Sequence, residues 1–95
     1  MITLDMVRKG YQSGIIKLIE SPNDGMIVCQ IGDYWFYYDL DNTENNIEQL
    51  KKDNSEEDIV RHIHETLCDF YVYEVFIDEY MYYEYYLEEH GITED

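Results

Sequence analysis

The sequence predicts an α+β fold: a three-stranded antiparallel meander with one N-terminal and two C-terminal helices, in the order α-β-β-β-α-α. Three observations lead there. The apolar spacing turns from helical to strand-like after Gly14 and back to helical after Ser55. Two turn signatures, Ser21-Pro22-Asn23-Asp24-Gly25 and Gly32-Asp33, divide the strand-like stretch into three. A length of 95 residues supports one core, so residues 1–95 are read as a single domain without repeats.

The first helix is expected over residues 3–12. Thr3 can cap it, and Leu4, Val7 and Tyr11 recur on one face, while Gly10 weakens it. Ile15 to Glu20 is rich in β-branched residues and forms the first strand. Met26 to Ile31 returns, and Tyr34-Trp35-Phe36-Tyr37-Tyr38 is the third strand. Residues 39–55 read as a polar loop with a helical turn near Ile47 to Lys51. Ser55-Glu56-Glu57-Asp58 opens the next helix with a box-like cap and carboxylates where the helix dipole favours them. Val60, Ile63, Leu67 and Phe70 carry its apolar stripe, widened by Ile59. Residues 71–77 fit a strand, a helix continuation or a bend, and these stay open. Asp78-Glu79 starts the last helix, with Gly91 at its C′ position.

Composition is unusual in charge and in tyrosine. The chain has 22 acidic and 6 basic side chains, net charge −16, and 11 tyrosines. Direct nucleic-acid binding is therefore not expected, since phosphate contacts need Lys and Arg, and an anionic membrane surface would repel the chain. No apolar run is long enough for a membrane span, and Met1 to Asp5 lacks the character of a secretory leader. Cys29 and Cys68 lie inside apolar patterns and read as buried thiols of a cytoplasmic protein, with a strand-to-helix disulfide as the alternative.

The two unusual features coincide near the C-terminus. Residues 62–95 contain no Lys or Arg, yet hold Glu74, Asp78, Glu79, Glu84, Glu88 and Glu89 among other carboxylates. Such self-repulsion exceeds what solubility requires. Tyr80 and Tyr83 share a face with Leu87, whereas Tyr82, Tyr85 and Tyr86 fall elsewhere around the helix. One helix buries a stripe of roughly 100°, so some of these rings are expected at the surface. The resulting expectation is a partner-binding face made of Glu74, Asp78, Glu79, Tyr82, Glu84, Tyr85, Tyr86, Glu88 and Glu89. It would suit a basic, nucleic-acid-handling protein, with carboxylates in place of phosphates and rings in place of bases. The alternative is a homo-oligomeric structural or regulatory domain, a homodimer for instance, that uses Tyr82, Tyr85 and Tyr86 as its seam.

Other chemistry finds little support in the residues. Asp39-x-Asp41-x-Thr43 begins like a calcium loop, but Glu44 stands where Gly is needed and Leu50 where the bidentate Glu belongs. His62 and His64 point to nearly opposite helix sides. His64 and Cys68 share a face, but nothing completes a tetrahedral metal set. No motif supports a cysteine–histidine dyad, and the glycines are isolated, so neither an enzyme nor a cofactor is expected.

Ile31-Gly32-Asp33-Tyr34-Trp35-Phe36-Tyr37, Ser55-Glu56-Glu57-Asp58-Ile59-Val60 and Asp78-Glu79-Tyr80-x-Tyr82-Tyr83-Glu84-x-x-Leu87 resemble small accessory proteins of phages and conjugative elements in Firmicutes. That family carries no established chemistry to transfer. In element order and charge the chain is also similar to the DNA-mimic type II-A anti-CRISPR inhibitors, which occupy the PAM-reading site of Cas9. This likeness implies an anti-defence inhibitor and assigns no residues.

Overall fold

The computed structural model describes residues 1–21, 25–38, 46–72 and 77–93. Its elements are α1 (Leu4–Gln12), β1 (Ile16–Glu20), β2 (Ile27–Ile31), β3 (Tyr34–Tyr37), α2 (Ile47–Asp53), α3 (Glu56–Val72) and α4 (Ile77–Glu89). The expected α+β meander is present, with α2 as an additional short helix where one helical turn was expected. Asn46 caps α2, its side chain accepting from the Gln49 amide at 3.1 Å. Thr3 Oγ1 does the same for α1 through the Met6 amide, and Ser55 Oγ for α3 through the Asp58 amide, each at 3.1 Å.

The sheet runs β1-β2-β3, antiparallel throughout. Ile16 faces Ile31 and Leu18 faces Cys29 across the first pair; Cys29 faces Phe36 and Ile31 faces Tyr34 across the second. Period-two alternation therefore sends Ile16, Leu18, Ile27, Cys29, Ile31 and Phe36 toward the helices. The core closes over them with Met6 and Val7 of α1, Leu50 of α2, Ile59, Val60, Ile63 and Leu67 of α3, and Tyr80, Tyr83 and Leu87 of α4.

Gly10 has a role that its helix propensity hides. It is buried, and a Cβ there would stand 2.7 Å from Ile16 Cδ1 and 3.3 Å from Leu87 Cδ2. Its missing side chain lets α1 approach both β1 and α4. The first residues are drawn into the core as well. Ile2 is buried, its amide donates to Tyr80 Oη at 2.7 Å, and its carbonyl lies 3.2 Å from His64 Nε2.

The end of α4 is a Schellman turn. Gly91, at φ 81°, donates to the Glu88 carbonyl at 3.0 Å, and the Ile92 amide donates to Leu87 at 2.9 Å. Ile92 itself folds back as a buried side chain. The ambiguous 71–77 segment resolves at both ends, with 71–72 closing α3 and Ile77 opening α4. Pro22 to Asp24, the Asp39-x-Asp41-x-Thr43 start, the Phe70 side chain and Glu74 lie outside the described residues.

Candidate partner-binding face

Helix α4 carries Asp78, Glu79, Glu84, Glu88 and Glu89 and no Lys or Arg. Its burial alternates at helical spacing. Tyr80, Tyr83 and Leu87 are in the core, while Asp78, Met81, Tyr85, Glu88 and Glu89 are exposed. The exposed set forms one outward stripe, anionic at both ends and apolar in the middle. Met81 is 60% exposed and Tyr85 61%, the most exposed apolar side chains of the helices among the described residues. The Tyr85 hydroxyl bonds to the Glu89 carboxylate, which holds the phenol above its usual pKa.

The other expected residues lie off this stripe. Glu79 and Glu84 are half-buried on its flanks, and Glu84 accepts a hydrogen bond from the Met1 amino group at 2.5 Å. Tyr82 and Tyr86, expected at the surface, are half-buried instead. Tyr82 Oη accepts from the Asp33 amide at 3.1 Å, and its ring meets Tyr34 edge-on with centroids 4.6 Å apart. Tyr86 lies against Tyr82 on one side and His90 on the other, at 5.9 and 4.2 Å.

The cause is Gly32, at the tip of the β2–β3 hairpin. A Cβ there would fall 2.5 Å from Tyr82 Oη and 2.9 Å from the Tyr86 ring. Because the hairpin presents bare backbone, α4 buries a wider arc than one stripe, and only Tyr85 of the three expected anchors remains outside. Met81 was missed by sequence reasoning. The signal was available: 78, 81, 85, 88 is a helical series on the face opposite Tyr83.

Elsewhere Arg8, Lys9 and Arg61 are engaged by carboxylates of α1 and α3. Arg8 grips Glu57 through Nε and Nη2 at 3.0 and 2.7 Å and reaches Asp5 at 3.1 Å. Lys9 also pairs with Asp5, and Arg61 with Glu57. The Arg8 hydrogen bonds lower the Glu57 pKa, and Lys9, followed by Arg8, lowers that of Asp5. Among the described residues no Lys or Arg pairs with a carboxylate of α4, so that helix keeps its field.

The thiols are free. Burial pushes the Cys29 pKa far up, and burial together with Asp69 and Glu65 raises that of Cys68. Both stay protonated at neutral pH, the poor state for a nucleophile or a metal ligand. Cys68 Sγ lies 3.6 Å from His64 Nε2, and His62 turns away, its Nε2 2.6 Å from the Tyr38 carbonyl. No group of three or more His, Cys, Asp or Glu among the described residues could hold a metal ion. A cleft of about 290 Å³ beside the sheet is lined by Lys17, Gln30, Tyr86 and His90 among others. Among the described residues no helix is long and apolar enough to cross a membrane.

No family model, no curated protein and no solved structure matches this chain.

Proposed function

We propose that this chain is a non-enzymatic acidic binding protein that engages a basic, nucleic-acid-handling partner through the outward stripe of α4. In this reading it works in the cytoplasm as a DNA mimic of the mobile-element anti-defence type. The observation that carries the proposal is the stripe itself. Asp78, Glu88 and Glu89 flank the exposed Met81 and Tyr85, with no Lys or Arg in the helix. Carboxylates that meet no Lys or Arg among the described residues steer a cationic groove into contact from a distance. Met81 and Tyr85 then supply the desolvated centre, a flexible thioether beside a rigid ring that costs little entropy to fix. The raised thiol pKa values of Cys29 and Cys68 support a role without nucleophilic chemistry.

Affinity capture from a bacterial lysate, at about 50 and about 200 mM salt, tests this reading. The wild-type chain is expected to retain basic nucleic-acid-binding proteins at the lower salt, and the Glu88→Lys/Glu89→Lys variant to lose them. Equal capture by both chains, or capture of no basic protein at either salt, removes the proposal.

A further inference from the structure

The sheet has a second face, turned away from the helical layer except at its Lys17 and Gln30 end, where Tyr86 and His90 border the same cleft. Alternation places Lys17, Ile19, Val28, Gln30, Trp35 and Tyr37 on it, in two cross-strand rows: Lys17–Gln30–Trp35 and Ile19–Val28–Tyr37. Trp35 is 54% exposed and Ile19 37%. Trp35 and Tyr37 meet edge-on with centroids 5.2 Å apart. In a chain with 22 carboxylates, none of the described residues on this face is one, and the one charge among them is the cation Lys17, which has no ion-pair partner among the described residues. Glu20 belongs to the other side, where its Oε1 accepts from the Ile47 amide at the start of α2.

We infer that this face docks a second copy of the same chain, sheet against sheet. Charge selects that occupant. A basic partner finds no carboxylate here, whereas two strongly anionic copies can approach each other most easily through the surface that lacks them. Sheets packed face to face lie about 10 Å apart, which leaves the two acidic helical layers on opposite outer sides, beyond the Debye length of about 8 Å at physiological salt. Ile19 and the Trp35 ring, with the half-buried Tyr37 beside them and Val28 already buried beneath, provide the contact, and Lys17 reaches toward the acidic rim of the second copy. Three strands of about five residues offer a footprint near 250 Å², well below the roughly 800 Å² per partner of a standard stable complex. The dimer is accordingly weak and reversible, and it leaves α4 uncovered.

Salt separates this association from binding through α4. Screening relieves repulsion between like-charged copies, so self-association is expected to tighten several-fold as salt rises, whereas capture of a cationic partner weakens. Sedimentation equilibrium up to millimolar protein at low and high salt reads the first effect. Trp35 is the sole tryptophan, so its emission should move to shorter wavelength as the protein is concentrated. Ile19→Glu and Trp35→Lys, each checked for native circular dichroism, are expected to abolish association, and Tyr85→Ala to leave it unchanged. A monomer at every concentration and salt overturns the inference. So does a dimer that Tyr85→Ala disrupts, or one that persists with both sheet-face variants.

Discussion

Gly32 decides the fate of two tyrosines by lacking a single carbon. Its φ of 64° favours glycine, and the space its Cβ would fill is occupied by Tyr82 and Tyr86. Gly14 has a comparable φ of 82° but nothing within 4 Å. Gly14→Ala is therefore expected to cost about 1–2 kcal/mol of conformational strain. Gly32→Ala should cost that and about 1–3 kcal/mol more, because the half-buried Tyr82 and Tyr86 rings must move. Urea denaturation of the two variants isolates the ring contact by difference; equal losses would mean that α4 does not lean on the hairpin. Arg8 gives a pH-dependent counterpart. The folded-state pKa values of Asp5 and Glu57 are lowered, so their stabilising pairing is present above the unfolded values of about 3.9 and 4.3 and is lost as pH falls through the folded ones. The stability gap between wild type and Arg8→Ala should thus be widest above pH ~5 and close in stronger acid. A gap independent of pH, measured by denaturant titration across that range, would exclude the carboxylates as its source.

Among the elements, those with local signals were readable in advance. Thr3, Ser55 and Gly91 mark helix ends by chemistry that acts within a few residues, and the Gly32-Asp33 turn sets the strand register. What escaped was long-range. Gly10 reads as a flaw within its helix and proves to be where α1, β1 and α4 come together. Tyr82 and Tyr86 read as surplus because the hairpin that receives them lies some fifty residues away, and no periodicity within α4 reveals it. Met81 was legible from spacing and was obscured by the tyrosines around it. The sorting of α4 has a simple check. Tyr83 is buried and Tyr85 exposed, so Tyr83→Ala should cost about 3–5 kcal/mol, whereas Tyr85→Ala stays within about 0.5 kcal/mol. Comparable thermal-melt losses would show that the exposed stripe has been assigned to the wrong side.

Taken as one body, the chain separates its two kinds of surface. Among the described residues, the Lys and Arg side chains that pair are on α1 and α3, and α4, whose Glu84 meets the Met1 amino group, carries no Lys or Arg. The described residues on the far side of the sheet are mostly apolar and include no carboxylate. A net charge of −16 is thus unevenly placed: Met81 and Tyr85 lie among the carboxylates of α4, and the described residues of the outer sheet face carry none. The partner-binding reading stands or falls on where a cationic ligand lands. An isotopically labelled sample titrated with an arginine-rich peptide, followed by amide chemical shifts, locates it. Shifts are expected to gather at Asp78, Met81, Tyr85, Glu88 and Glu89 and to fade as salt rises. Shifts that gather instead around Ile19 and Trp35, or that spread evenly over all the carboxylates, would leave α4 without a binding role.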